Sequence, residues 1–276
     1  MLICLPGYPT NGDKETWKPF REQDIEFGKI IFDLQNKILR HFNCQEITSR
    51  TGCVASSQYL NVYGFPEELD YDDIVTIPEN FVRVDAFCRK MPEPFQFPEE
   101  FQKKIKPGDK LIFVSMGSMG SFDVELMKRL IAALAKTSHK YIVSKGLLHD
   151  EFELADNMWG GQYVPQTSIL PLVDLVITHG GNNTVTESFS FGKPMIVMPL
   201  FADQYDNAQR IQEKGFGIRL ETYDFTDQEL VDSIDKLLND AELNRRLAKI
   251  SKRIQQDNSK EKAAIEIEQM VKNNRQ

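Results

Sequence analysis

The chain is organised around residues 163–204, YVPQTSILPLVDLVITHGGNNTVTESFSFGKPMIVMPLFADQ. Within this stretch, residues 172–178 and 195–200 are short apolar runs rich in β-branched side chains, which is typical of strands buried on both faces. Residues 184–191 between them are predicted to form a short helix, with Gly192 at its C-terminal cap. This strand–helix–strand order predicts parallel strands whose carboxyl ends form a ligand-binding edge.

The polar residues of this stretch fall at that edge. His179 follows the first strand, and the turn after it presents backbone N–H groups at a helix N-terminus, which favours phosphate. Asp203 and Gln204 follow the second strand and offer acceptors and an amide suited to sugar hydroxyls. A structural alternative stays open, because a single His after a strand often has no ligand, and Thr184 with Glu187 matches a helix capping box.

The joint spacing of these residues resembles the signature of the UDP-glycosyltransferases, the family-1 glycosyltransferases of GT-B fold. The family pattern W-x-P-Q, H-x-G-x-N-[ST]-x-x-E, G-x-P and D-Q corresponds here to YVPQ at 163–166, HGGNNTVTE at 179–187, GKP at 192–194 and DQ at 203–204. Tyr163 stands where most members carry Trp. The resemblance implies an α/β fold of two facing Rossmann-like domains with the active site in the cleft between them.

The resemblance also implies a role for each matching residue. Tyr163 is expected to stack on the uracil ring, Glu187 to bond the ribose hydroxyls, and Asp203 and Gln204 to hold the sugar. No metal and no cofactor is implied, because the UDP-sugar is a co-substrate. The residues expected to bind the nucleotide are Ser118, Tyr163, Val164, Gln166, His179, Gly181, Asn183, Thr184 and Glu187.

The chain divides by pattern into four regions. Residues 89–110, rich in Pro, Lys and Glu, are expected to form a linker. Strict alternation of strands and helices over residues 111–240 predicts a doubly wound parallel sheet. The resemblance implies that residues 111–240 are the complete domain that binds the UDP-sugar and that residues 1–88 are a partial N-terminal domain on the acceptor side. Residues 241–276 are helical and basic, and the resemblance implies that they pack back toward the N-terminal domain. The other elements predicted in the third region are strands at 111–115, 141–144 and 216–220 and helices at 123–136 and 206–214, followed by a helix capped by Thr226.

Two features of the first region are assigned structural roles. Apolar residues at helical spacing between positions 20 and 42, among them Ile25, Leu34 and Ile38, are expected to face the core. The acidic run over residues 67–73 contains a D-x-D motif, which binds metal in another glycosyltransferase fold. A solvated loop accounts for this run without a metal.

Composition excludes several classes of protein. The 276 residues include 41% hydrophobic and 27% charged residues, as in an ordinary globular protein, and the net charge of −8 disfavours nucleic-acid binding. No run of 18 apolar residues is present, so no transmembrane span is expected. The four cysteines, Cys4, Cys44, Cys53 and Cys88, form no C-x-x-C pair and predict free thiols in the cytoplasm.

One catalytic element of the family finds no match. Family members begin with a strand followed by a catalytic His, whereas the first His here, His41, lies in a predicted helix. The chain is therefore expected to be a fragment or a truncated relative, and its catalytic residue is unknown. The favoured function is inverting transfer of a sugar from UDP-glucose to a hydroxyl of a small lipophilic acceptor, with this chain supplying the donor site. A non-catalytic UDP-sugar-binding module and a UDP-sugar epimerase stay open as alternatives.

Overall fold

The computed structural model of the chain describes residues 7–12, 15, 18–47, 56–85, 87–88 and 95–273. Cys4, Cys53 and the side chain of Ile25 lie outside these described parts. Within the described parts, neither Cys44 nor Cys88 forms a disulfide bond. The cytoplasmic location stays a prediction.

The described part of the first region consists of a long helix and a small sheet. Helix α1 (Lys18–His41) is followed by strands β1 (Asn61–Gly64) and β2 (Phe81–Val84), which pair in parallel. The side chains of Leu34 and Ile38 on α1 are 55% and 58% exposed, so the expectation that they face the core is wrong. Every helix in the described ranges is too short or too polar to cross a lipid bilayer.

The main sheet confirms the prediction of a parallel α/β fold. Its six strands in the described part of the chain run in the order β5-β4-β3-β6-β7-β8. The connections lead outward from β3 on one side and from β6 on the other, so the crevice between their carboxyl ends is the topological switch point where such sheets bind ligands. The strands are β3 (Leu111–Ser115), β4 (Lys140–Ser144), β5 (Met158–Gly161), β6 (Leu175–Thr178), β7 (Met195–Val197) and β8 (Gly217–Arg219).

Strands β6 and β7 are buried at every residue, as their apolar sequences predict. Strand β5 was not predicted, because Met-Trp-Gly-Gly lacks β-branched residues. Gly160 is needed there, since a Cβ atom at this position would lie 2.0 Å from the carbonyl oxygen of Val143 on the neighbouring strand. Close approach of two backbones, rather than strand propensity, therefore fixes this sheet edge.

Helices follow most strands of the sheet. Helix α6 (Asn182–Ser190) ends as predicted, because Gly192 adopts φ +66° and the N–H of Lys193 donates to the Ser188 carbonyl at 2.9 Å. Helix α7 (Asp203–Glu213) begins three residues earlier than predicted. The remaining helices, in chain order, are α2 (Glu99–Gln102), α3 (Gly117–Gly120), α4 (Val124–Leu134), α5 (Gln166–Ile169), α6 (Asn182–Ser190), α7 (Asp203–Glu213), α8 (Asp227–Asn239), α9 (Ala241–Gln255) and α10 (Ser259–Asn273).

Part of the predicted linker packs onto the sheet domain. The rings of Phe95, Phe97 and Phe101 lie 5.6, 5.7 and 6.2 Å from the ring of Trp159 on β5, measured between centroids. Phe101 is only 3% exposed. Residues 95–102 therefore cover the edge of the sheet, where aromatic side chains bury much apolar area.

The acidic run is not a solvated loop, which corrects the expectation from sequence. Leu69, Asp70 and Tyr71 are buried, and Arg210 of α7 is itself only 2% exposed. Arg210 donates to the carbonyl of Leu69 at 3.0 Å, to the carbonyl of Asp70, and to the carboxylate of Asp73 at 2.5 Å. The run therefore anchors the first region to the sheet domain.

Helix α9 makes a second connection to the first region through Arg253. Its guanidinium donates to Glu68 at 2.7 Å and to Asp85 at 2.8 Å, and Arg83 also donates to Asp85 at 2.9 Å. Burial raises the pKa of the Asp85 carboxyl, but the hydrogen bonds from Arg253 and the charge of Arg83 outweigh burial and hold the pKa below its usual value. Asp85 therefore stays ionised while almost fully buried.

We expect Arg253→Met to lower the free energy of unfolding by about 2 kcal/mol, because it removes one of the two cations that compensate the buried Asp85 charge. Urea unfolding at pH 7 measures this loss. The exposed pair of Arg245 and Glu242 on the same helix supplies the control, and Arg245→Met should cost less than about 0.5 kcal/mol.

The loss of unfolding free energy in Arg253→Met should become smaller as the pH falls below 3.8, the usual pKa of the Asp85 carboxyl. A carboxyl whose pKa is depressed on folding stabilises the protein above that pH and loses this contribution on protonation. Equal losses of unfolding free energy in Arg253→Met and Arg245→Met at pH 7 would contradict the conclusion that Arg253 compensates the buried charge of Asp85.

Candidate functional site

His179 lies where the carboxyl ends of β3 and β6 meet. Its Nδ1 atom is 3.2 Å from the hydroxyl oxygen of Thr178. A Cβ atom at Gly117, in the turn after β3, would lie 2.5 Å from Nε2 of His179, and a Cβ at Gly181 would lie equally close. Two glycine turns thus close on the imidazole, and no larger residue fits at either position without a shift.

The imidazole of His179 is neutral at pH 7. Burial lowers its pKa below the usual 6.5, although a hydrogen bond with the Ser115 backbone and the charge of Asp203 both raise it. A neutral ring has one N–H, so a ring that donates to the Ser115 backbone must be protonated before it can also donate to an anion. An anion bound beside it would raise the pKa again, because a nearby negative charge favours the protonated form.

The N-terminus of α6 is open toward the same edge. Gly181 occupies the N-cap position and no side chain caps the helix. The first helical N–H with a backbone acceptor belongs to Val185, which donates to the Gly181 carbonyl at 3.1 Å. The N–H groups of Asn182, Asn183 and Thr184 are therefore available to an anion, and the helix dipole adds to the attraction.

The interpretation of Thr184 and Glu187 as a capping box is wrong, because Gly181 is the N-cap and Thr184 is the third residue of the helix. The Glu187 carboxylate instead accepts from Nε2 of Gln166 at 2.5 Å. The same Nε2 atom lies 3.4 Å from the Thr184 hydroxyl. Helices α5 and α6 thus bring three predicted site residues together as one polar cluster.

The other predicted nucleotide-binding residues differ in exposure. Tyr163, which follows β5, is 82% exposed and presents a free aromatic face to solvent. Val164 is 3% exposed, so only its backbone could meet a ligand. Ser118 and Asn183 are exposed in the first turns of α3 and α6, which follow the two central strands.

Asp203 and Gln204 lie in the first turn of α7 and not in a loop. Asp203 accepts from the Asn207 amide at 3.1 Å. The Oε1 atom of Gln204 accepts from the backbone N–H groups of Leu200 and Phe201 at 2.9 and 3.1 Å, so it is committed to the turn before the helix. Gln204 is only 3% exposed, so Asp203 is the more accessible of the two predicted sugar-binding side chains.

Sequence reasoning missed Asn207 and the contact made by Asn182. The Asn207 amide also donates to the carbonyl of Gly180 at 2.8 Å, and Asn182 donates to the carbonyl of Gly64 on β1 at 3.0 Å. A helix begun at Asp203 would have placed Asn207 one turn later on the same face. Nothing in the sequence indicated the contact with β1.

Metal ligation has no candidate within the parts of the chain described above: no group of three or more His, Cys, Asp or Glu side chains is placed to hold an ion. His139 lies 3.5 Å from Asp235, and His149 lies 2.8 Å from Asp150, so each pairs locally with a carboxylate.

Backbone strain lies directly before Asp203. Ala202 adopts φ 53° and ψ −133°, which a residue with a Cβ atom rarely does.

We expect Ala202→Gly to raise the free energy of unfolding by about 1 kcal/mol, because the relieved strain exceeds the added chain entropy. Urea unfolding measures the change, and Ala264→Gly in exposed α10 should instead lower stability by about 1 kcal/mol. A loss of stability in both variants would show that the turn is unstrained.

A family model described as "UDP-glucoronosyl and UDP-glucosyl transferase" matches residues 61–265. Among curated proteins, NDP-glycosyltransferase YjiC of Bacillus subtilis (strain 168) is 31% identical over 265 residues, which cover 95% of this chain and 63% of YjiC. The chain thus spans less than two thirds of the length of this relative.

Solved glycosyltransferases share the fold. The glycotransferase of kitacinnamycin has a TM-score of 0.72 at 20% identity and aligns over 91% of this chain and 67% of its own. Glycosyltransferase VinC, solved in complex with dTDP, has a TM-score of 0.54 at 18% identity, over 70% and 52% of the two chains. These likenesses show the GT-B fold. Because the family model covers more than half of the sequence, the chain belongs to the UDP-glucuronosyl and UDP-glucosyl transferase family.

Proposed function

We propose that this chain binds a UDP-sugar at the switch point of its sheet and supplies the donor site for transfer of the sugar to an acceptor hydroxyl. The observation that carries the proposal is the convergence of three features on one edge. These are the imidazole of His179, the open N-terminus of α6, and the Gln166–Glu187 pair. Each feature suits a different part of one nucleotide.

The diphosphate fits the N-terminus of α6, where free N–H groups and the helix dipole attract negative charge. His179 lies at the same place and can donate one further hydrogen bond. The ribose hydroxyls suit the Glu187 carboxylate, and uracil can stack on the exposed ring of Tyr163, which is worth about 0.5–1.5 kcal/mol beyond area burial. The sugar then lies toward Asp203 at the start of α7.

The proposed reaction is an inverting displacement with UDP-glucose as the donor and a small lipophilic alcohol or phenol as the acceptor. The acceptor oxygen bonds to the anomeric carbon, the bond from that carbon to the phosphate oxygen breaks, and UDP leaves with the electron pair. Donors at the N-terminus of α6 stabilise the charge that develops on UDP. The acceptor proton passes to a base, a role that we assign to no described residue.

A second candidate is a UDP-sugar-binding module without transferase activity. It shares every donor residue, and it is favoured by the same lack of an assigned base. The two candidates differ in turnover and agree in donor binding.

We expect His179→Ala to weaken UDP binding at least about tenfold, or 1.4 kcal/mol, because the variant loses a donor beside the diphosphate. Isothermal titration calorimetry of the full chain with UDP measures the affinity. The control is His139→Ala, which removes a His that pairs with Asp235 and should leave UDP affinity unchanged. Unchanged affinity in His179→Ala would show that His179 has only a structural role.

We expect Asp203→Ala to leave UDP affinity nearly intact while it removes any difference in affinity between UDP and UDP-glucose, because the carboxylate contacts the sugar alone. Loss of UDP binding itself would mean that Asp203 holds the fold.

Acceptor-dependent release of UDP from UDP-glucose then separates the two candidates. Turnover that depends on Asp203 supports the transferase, and saturable donor binding without turnover supports the module.

A further inference from the structure

A cavity of about 300 Å³ lies between the first region and the starts of α6 and α7. Tyr63 and Phe65 line it from the end of β1, and Asp70 from the buried acidic run. Asn182, Asp203 and Asn207 line it from the two helices. Its volume suits one small ring of the size of a monosaccharide.

The cavity continues the proposed donor site. Asn182 is the first residue of α6, and Asp203 is the first residue of α7. The free N–H groups at the start of α6 form the proposed binding site for the diphosphate. A sugar attached to a diphosphate at α6 therefore reaches the cavity directly. This step rests on the proposed function.

The polar wall of the cavity carries negative charge. The Asp70 carboxylate is buried and accepts from the Tyr63 hydroxyl at 2.7 Å and from the Tyr71 N–H at 2.8 Å. Burial, and after it the hydrogen bond to Asp70, raise the pKa of Tyr63, so its hydroxyl stays protonated. Asp203 adds the second carboxylate of the lining.

Cations lie near this wall without lining it. The Nε atom of Arg83 is 3.6 Å from the Asp70 carboxylate, and Arg210 donates to the Asp70 carbonyl. Neither side chain is among the described residues that line the cavity, and no other Lys or Arg is. A ligand in the cavity therefore meets carboxylates, amides, a hydroxyl and aromatic rings.

The apolar part of the cavity wall is aromatic. The rings of Phe65 and Tyr71 are nearly parallel, with an interplanar angle of 8° and centroids 6.2 Å apart. Both residues are buried, so the stack is a fixed surface and not a mobile one. Apolar surface with a few convergent polar groups is the usual lining of a small-molecule site.

We propose that this cavity receives the sugar ring of the donor, and that Asp70 together with Asp203 selects a neutral hexose over a uronic acid. The carboxylate of a glucuronate would enter a space already lined by two like charges, and this repulsion would disfavour its binding. A neutral hexose offers hydroxyls that can donate to the same two carboxylates. Asp70 is thus a specificity-determining residue of the acidic run.

Calorimetry of the full chain with UDP, UDP-glucose and UDP-glucuronate tests this selection. We expect wild-type protein to bind UDP-glucuronate at least about tenfold more weakly than UDP-glucose. Asp70→Asn should reduce the ratio of the UDP-glucose affinity to the UDP-glucuronate affinity at least about threefold. It should leave the UDP affinity unchanged, because Asn keeps an acceptor for the Tyr63 hydroxyl but loses the charge. Asp72→Asn, at an exposed neighbour in the same run, should change neither quantity.

A second variant tests the proposal without altering the Asp70 network. Asn182→Lys places a cation in the cavity wall and should also reduce the ratio of the UDP-glucose affinity to the UDP-glucuronate affinity. Any effect of the new cation on the diphosphate is the same for both ligands and cancels in this ratio. The proposal is overturned if wild-type protein binds both sugars equally, or if neither variant changes the ratio while UDP still binds. Failure to bind UDP at all would instead overturn the proposed function, and this inference with it.

Discussion

The imidazole of His179 leaves no room for a side chain at Gly117 or Gly181, and the proposed ligand-binding edge depends on this fit. The ring packs against both glycines at the ends of β3 and β6, so the turns after both strands lie close together. The backbone N–H groups at the start of α6 are then presented beside the imidazole. A larger residue at either glycine would separate the two turns and widen the site.

Helix α7 links this edge to the rest of the molecule. Asp203 begins the helix beside the cavity, and Arg210, two turns later, holds the backbone of the acidic run. Tyr71 lies under the Arg210 guanidinium, with 4.7 Å between the guanidinium carbon and the ring centroid. Helix α7 therefore lines the cavity with Asp203 and Asn207 and also holds the acidic run in place, so the geometry of the proposed sugar site depends on packing between the two regions.

The elements that depend on neighbouring residues could be predicted from local patterns in the sequence. The buried strands β6 and β7 and the end of α6 at Gly192 follow from apolar runs and from cap chemistry, and both were predicted. Strand β5 was missed because it lacks β-branched residues and because Gly160 is there for close approach to the backbone of Val143. The start of α7 was missed because Ala202 adopts a conformation typical of glycine. The acidic run was assigned to solvent because its partners, Arg210 and Arg253, are far away in the sequence, and no local pattern reveals such a pairing.

A crystal structure of the full chain with bound UDP would show where the diphosphate binds. We expect the diphosphate to lie at the N-terminus of α6 within hydrogen-bond distance of His179, the uracil to lie on Tyr163, and the ribose to contact Glu187. A diphosphate bound elsewhere, for example at the basic surface formed by Lys249, Lys252 and Arg253, with the α6 N-terminus left unoccupied, would contradict this expectation.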